Sequence, residues 1–443
     1  MEQQGRLSNG IRYICHHTGD QDQTVAIFIA VRYGSAMDPP AQAGMAHLLE
    51  HMLFKGNKTM RAFEAIGARF NAFTDRTVTA YHAKCAQGHL ETALDLLCDM
   101  VTSRNNFCAA AENENENENE NVMRREKQIV ANELRGNLDS STRRVVDALY
   151  KNMFAREMAR NLTEDSLAAL PALTPAQLVA AYKKYYVAEN ITVSLCGNLK
   201  NHKVVALLHK YLGHVSNTNN TNNTNNSKSK IFMRAETHLR GQRRRIVVPS
   251  LVPNPKQRTI MVVFPTHGYR WRHTQYYYTE MFGLIFANLT SGRLFQRLRE
   301  QEGLVYSVKA SQAAHDYVGY FAIKTTTAPQ NVAAVVRILD QEMARVRAEG
   351  ISAAEFVLAR DNFLATWAMA QENPMTLAMY NASELFYKNN NNNNNNQNNH
   401  SNNNNFVPYE QVLTSLIPAL TRAEMNRYLP KLLNPHAALL LVC

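Results

Sequence analysis

The residues whose types and spacing most directly suggest chemistry are His47, Glu50 and His51, in the segment GMAHLLEHMLFKG. On a helix, positions i and i+4 share a face, so both imidazoles can bind one metal ion. Glu50 lies on the same side, three residues after His47. A Zn²⁺ ion accepts imidazole nitrogens readily and lowers the pKa of water bound to it. A carboxylate that touches such a water without ligating the metal can remove its proton. The pattern H-x-x-E-H is the reverse of the H-E-x-x-H arrangement of zinc hydrolases. The plain alternative is a polar helix face, because a five-residue pattern recurs by chance.

A catalytic zinc takes three protein ligands. The segment VMRREKQIVANELRG supplies Glu126 and Glu133, seven residues apart. Seven residues are about two helical turns, so both carboxylates lie on one face. One of them can ligate the metal while the other supports it from behind. Taken alone the pair is weak, since exposed glutamates are common on helices.

These residues need a scaffold, and the periodicities outline one. TVAIFIAVRYG, TVTAYHAKC and NITVSLCG read as strands, and the stretch after Gly44 and HLETALDLLCDMVTS as helices. Further on, QRTIMVVFPTHG, YSVKASQAA and GYFAIKTTT read as strands, and NVAAVVRILDQEMARVRAEG as an amphipathic helix. Strands and helices do not alternate strictly, so the expectation is two α+β domains related by duplication. Three low-complexity stretches punctuate the chain: ENENENENEN at 112–121, NTNNTNNTNN at about 217–226, and an Asn-rich tract at 389–405. Such polar repeats bury too little apolar area to offset their ordering entropy, and all three are expected to be loops. The domains are expected at 1–215 and 231–443, joined by an Asn/Thr-rich linker at 216–230.

Composition narrows the class. A chain of 443 residues is long enough for two domains. No apolar run reaches the ~18 residues a membrane helix needs, so no membrane partner is expected. The start, MEQQGRLSNGIRY, has neither an apolar secretory core nor an Arg/Ser-rich leader. Six scattered cysteines with no CxxC pair argue for a reducing compartment and against a cysteine zinc site. The net charge of +11 is read as a solvated basic surface. No basic run is interleaved with aromatics, so no nucleic-acid partner is expected. The cluster Arg243-Arg244-Arg245 reads as a strand flank.

Taken together these segments resemble the pitrilysin (insulinase) family of zinc peptidases, in particular its half-length members, the mitochondrial processing peptidase subunits and their bacterial relatives. The likeness begins at LSNGIRY and is most specific over VRYGSAMDPPAQAGMAHLLEHMLFKG. It continues through GARFNAFTDRTVTAY, REKQIVANE and YKKYYVAENITVSLCGNL to SGRLFQRLREQEGLVYSV. The resemblance implies two α+β domains, each a mostly antiparallel sheet packed with helices, facing each other across a cavity. It implies one Zn²⁺ per chain held by His47, His51 and Glu133, with Glu50 as general base for a metal-bound water and Glu126 as an auxiliary carboxylate. It implies that the strand holding Asn71, Ala72 and Thr74 receives the substrate backbone. It also implies that Arg299 and Tyr306 bind substrate and stabilise the tetrahedral intermediate.

The expected activity is zinc-dependent endopeptidase action on peptides or unfolded protein segments. The expected assembly is a homodimer, or a heterodimer with a related subunit, in a bacterial-type cytoplasm. One alternative is a mitochondrial-type processing peptidase subunit that cleaves presequences in the matrix. The other is a non-catalytic structural or assembly subunit.

Overall fold

The computed structural model describes residues 2–54, 57–102, 116–199, 201–217, 244–251, 255–268, 274–316, 318–387 and 407–443. The second and third Asn-rich stretches, expected as loops, lie almost entirely outside these residues, as does the linker from 218 onward.

The strands form two sheets. The first contains β1 (Glu2–Arg6), β2 (Arg12–His17), β3 (Thr24–Val31), β4 (Arg69–Thr74), β5 (Thr79–Ala86) and β6 (Ile191–Gly197), in the order β1-β2-β6-β3-β5-β4. The second contains β7 (Arg244–Val247), β8 (Arg258–His267), β9 (Val308–Ala314), β10 (Val318–Thr327) and β11 (Leu439–Val442), in the order β7-β11-β8-β10-β9. Each sheet has one parallel pair, β2 with β6 and β7 with β11, and is otherwise antiparallel.

In the first sheet, β3 and β6 are central and buried on both faces, and β3 accordingly reads as a continuous apolar run. Val25, Ile27, Ile29 and Val31 join the main core of this sheet. That core also takes in α1 (Met45–Phe54) and α3 (Leu90–Thr102). The alternate residues of β3 turn to the opposite face. There the strand meets a helix from far along the chain, Pro374–Tyr387. By contrast β4, the outermost strand, alternates between exposed and half-buried residues.

The remaining helices used below are α2 (Asn57–Ala65), α4 (Glu116–Asp139), α5 (Ser141–Met153), α6 (Pro175–Tyr185), α7 (Asn201–Leu212), α8 (Thr274–Gly283), α9 (Val332–Glu349), α10 (Ala353–Ala370), α11 (Pro374–Tyr387) and α12 (Arg422–Leu432). Residues 116–121 of the ENEN repeat, expected in a loop, form the first turns of α4. Glutamate is a good helix former, and carboxylates at a helix N-terminus meet the positive end of its dipole. Arg244 and Arg245 are the first residues of β7 rather than its flank.

The chain divides into two compact units, and neither is continuous. The first comprises Met1–Leu134, Asn161–Phe232 and Ala370–Tyr409. The second comprises Arg135–Arg160, Met233–Met369 and Glu410–Cys443. In the first unit α11 packs on β2, β3 and β6, fastened by Arg12 Nη1 donating to the Leu385 carbonyl at 2.6 Å. Arg32 also donates to the Phe386 carbonyl. In the second unit α5 packs on β8 and β11, and Tyr150 meets His315 Nε2 at 2.7 Å. An amphipathic pattern says that a helix buries one face but not which sheet receives it.

Among the described residues no helix is long and apolar enough to cross a membrane. The five described cysteines, Cys15, Cys85, Cys98, Cys196 and Cys443, are buried, and no disulfide joins any two of them.

Candidate functional site

Helix α1 starts where Gly44 adopts φ +85°, a left-handed conformation that favours glycine. A side chain there would also press on Ser166, whose Cβ lies 3.2 Å from the position of an added Cβ. The first free N–H groups of α1 are met by Asp38, eight residues before Ala46. The Ala46 amide donates to Asp38 Oδ1 at 3.1 Å and Oδ2 at 3.3 Å, and the Tyr33 hydroxyl donates to Oδ1 at 2.7 Å. Burial pushes the Asp38 carboxyl up to about 7, with these hydrogen bonds opposing the rise. Around it, Asn161 Nδ2 donates to the carbonyls of Asp38 and Ser35, and Arg76 Nη1 donates to Ser35 Oγ and the Asn161 carbonyl. A buried polar knot therefore fixes the start of the helix that carries the histidines. Sequence reasoning missed Asp38, because its capping is not local in the chain.

On α1, Leu48, Leu49, Met52 and Leu53 are buried, and His47 and His51 are half-buried on the adjoining face. Helix α4 brings two carboxylates to them. Glu133 Oε2 lies 3.5 Å from His47 Nε2 and 3.7 Å from His51 Nε2. Glu126 is 2% exposed, and its Oε2 lies 3.3 Å from His51 Nδ1. The two glutamates left equivalent by their spacing thus occupy different places. Glu133 faces both imidazoles, and Glu126 holds the far nitrogen of one of them. The neighbouring imidazoles drive the Glu133 carboxyl far below its usual range, against the effect of burial. Burial would lower His51, yet Glu133, Glu50 and Glu126 together hold it above its usual value.

One ligand atom from each of His47, His51 and Glu133 falls within 4.8 Å of the others. Zinc bonds of about 2.0–2.1 Å at tetrahedral angles place ligand atoms roughly 3.3 Å apart. The observed 3.5 and 3.7 Å and the N,N,O donor set therefore fit a zinc ion. Among the described residues this is the group of three such side chains able to hold a metal.

Glu50 is 8% exposed and belongs to the same face of α1. Burial raises its carboxyl, while the Thr74 hydroxyl and the two imidazoles oppose the rise. Thr74 Oγ1 donates to Glu50 Oε2 at 2.7 Å. Nearby, the hydroxyls of Tyr81 and Tyr186 meet at 2.8 Å. Burial pushes both phenols well up, and the Glu50 charge adds to this, so both remain protonated.

Asn71, Ala72 and Thr74 lie on β4, at the outer edge of the first sheet. Arg299 belongs to the π-helical turn Gln296–Gln301 of the second unit. Its guanidinium carbon sits 4.8 Å from the centre of the Tyr306 ring and 4.9 Å from that of Phe295. Tyr306 is 81% exposed, a large aromatic left open to solvent.

Two mostly antiparallel α+β units, one with a His-His-Glu cluster beside a buried glutamate, define a metallopeptidase-like architecture. Residues 14–165 match the family model described as insulinase (peptidase family M16), and residues 172–363 match the one described as the peptidase M16 inactive domain. These matches together span more than half of the chain, which belongs to the pitrilysin/insulinase family, M16, as a half-length member. A Rickettsia felis protein described as an uncharacterised zinc protease is 24% identical over 373 residues, covering 83% of this chain and 83% of its own. A protease from Helicobacter pylori has the same fold, with a TM-score of 0.82 at 15% identity, covering 100% of this chain and 99% of that one. A chain of Complex III2 from Candida albicans also shares it, with a TM-score of 0.78 at 15% identity, covering 99% of this chain and 95% of its own.

Proposed function

We propose that this chain is a zinc-dependent endopeptidase acting on peptides or unfolded protein segments. The observation that carries the reading is the convergence of His47, His51 and Glu133 beside the buried Glu50. His47 Nε2, His51 Nε2 and Glu133 Oε2 would hold the zinc. When bound, the metal supplies Lewis acidity toward water and the scissile carbonyl. Glu126, at His51 Nδ1, keeps the other ring nitrogen turned to the metal position. Glu50 takes a proton from the attacking water and returns it to the leaving nitrogen. Its burial suits this role, because desolvation raises its affinity for the proton. Among the described residues no strand pairs with the outer edge of β4, where the Ala72 N–H donates to Asn71 Oδ1 at 2.9 Å, and an extended substrate can add there as a further strand. Arg299 and Tyr306 supply a cation and an exposed phenol for substrate binding.

The test is cleavage of a quenched unstructured peptide by the zinc-loaded chain, by the chelator-treated chain, and by the chain after zinc is restored. Activity should vanish with the metal and return with it. Activity that survives removal of all metal overturns the reading.

A second reading, a non-catalytic assembly subunit, draws on the description of the 172–363 model as an inactive domain and on the fold shared with a Complex III2 chain. It predicts a zinc-loaded chain with no cleavage alone or in its native assembly. Sedimentation of the purified chain tests the proposed dimer.

A further inference from the structure

Thr74 stands in the strand assigned to substrate, yet its side chain points to a different task. Along β4 the residues alternate, with Phe70 and Ala72 packed against the main core and Asn71 and Phe73 turned away. Thr74 falls on the core side, where its hydroxyl reaches Glu50 Oε2 at 2.7 Å. A threonine hydroxyl has one proton to give. The other acceptor within reach is Thr79 Oγ1, at 3.3 Å. Thr79 cannot reverse that contact, because its own proton goes to the Tyr33 carbonyl at 2.8 Å. The Thr74 proton is therefore directed to the carboxylate, the nearer and charged acceptor.

We infer that Thr74 is a positioning residue for the general base. Its hydroxyl engages Oε2 of Glu50 and leaves Oε1 to exchange protons with water and the leaving nitrogen. Thr79 fixes the direction of the bond by committing its own proton elsewhere. The device spans two elements: Thr74 and Thr79 are cross-strand partners on β4 and β5, and Glu50 is on α1. The inference rests on the peptidase reading for its catalytic consequence, but the hydrogen bond itself can be tested without activity.

Two measurements decide it. In the first, kcat, KM and zinc content are compared for the wild type, Thr74→Val and Thr74→Ser. Thr74→Val should lower kcat by roughly 10- to 100-fold with zinc content unchanged and KM moved little. Thr74→Ser should restore most of the lost turnover. If Thr74→Val raises KM alone, or Thr74→Ser falls as far as Thr74→Val, the hydroxyl serves the substrate or the strand and the inference is overturned. The second measurement uses the metal-free chain. Thr74→Val should lower the melting midpoint of the wild type more than that of a Glu50→Met background. Equal shifts in both backgrounds overturn the inference even if the zinc-loaded wild type fails to cleave. Unequal shifts in a chain that does not cleave place the failure in the peptidase reading instead.

Discussion

The sheet of the first unit and the sheet of the second share one wiring, and among the described residues only the first unit carries a His-His-Glu cluster. Leaving out β1, the first sheet runs β2-β6-β3-β5-β4 and the second β7-β11-β8-β10-β9. In each, the first strand lies parallel to the last, the last pairs with the second, and the third takes the outer edge. In each, helices lie between the second and third strands. In the first unit that interval holds α1 with His47, Glu50 and His51. In the second it holds α8, TQYYYTEMFG, which has no histidine. There Tyr278 donates to Glu424 Oε2 at 2.8 Å, and Thr279 Oγ1 bonds the Gln275 carbonyl of its own helix. Where the first unit gathers His47, His51 and Glu133 into one cluster, these polar groups of the second unit join helix to helix or bond within their own helix. The topology provides a helix at a fixed place over the sheet, and the side chains on it decide whether chemistry follows.

If that contrast is right, the largest effects come from removing a ligand in the first unit. His47→Ala or Glu133→Ala should reduce zinc from one per chain to trace levels, read by elemental analysis, and abolish peptide cleavage. Retained zinc in either variant would remove that residue from the ligand set. A smaller effect is expected across the comparison, at Arg299. Arg299→Ala should depress turnover by about 10²-fold with zinc unchanged, and zinc loss would contradict a role confined to substrate. Glu126→Gln should weaken zinc binding by about 10- to 100-fold in a competition titration with a chelator, because His51 loses the carboxylate at Nδ1.

The smallest effects contrast one helix-capping carboxylate from each unit. Asp38 titrates at about 7 in the fold, above its ordinary 3.8. Its contribution to stability is complete below pH 4 and is lost as pH rises through 7. Glu355, although burial alone would raise it, is held to about 2 by Arg293 and the Ser352 amide. Arg293 meets it through two hydrogen bonds, at 2.5 and 2.8 Å. Its contribution is present above pH 4.5 and is lost as pH falls through 2. In melting curves, wild type minus Asp38→Asn should therefore shrink from pH 4 to 8. Wild type minus Glu355→Gln should grow from pH 2 to 5, each by a few degrees. Parallel pH profiles for variant and wild type would contradict the assignment at that site.

The parts of the site readable from the sequence were those whose geometry is local. A four-residue spacing on a helix is enough to pair His47 with His51, and seven residues put Glu126 and Glu133 on one face. Which glutamate meets both imidazoles depends on where α4 crosses α1, and no local rule sets that; the family resemblance named Glu133. Thr74 and Asp38 act on α1 from 24 and eight residues away, so their roles emerge only when the strand and loop are folded against it. The strands were legible because β3 and β8 carry long apolar runs and β6 is a short segment rich in β-branched residues. The sheets that receive α5 and α11 were not, because a buried face does not name its partner. Residues 116–121 of the ENEN repeat are helical despite their low complexity, because glutamate is a good helix former.

The most direct test of the account is a paired measurement of zinc content and peptide cleavage on the wild type and Glu50→Gln. The account predicts one zinc per chain in both proteins, cleavage by the wild type, and a loss of about 10²-fold or more in the variant. A Glu50→Gln protein that keeps its zinc and cleaves at the wild-type rate would contradict it.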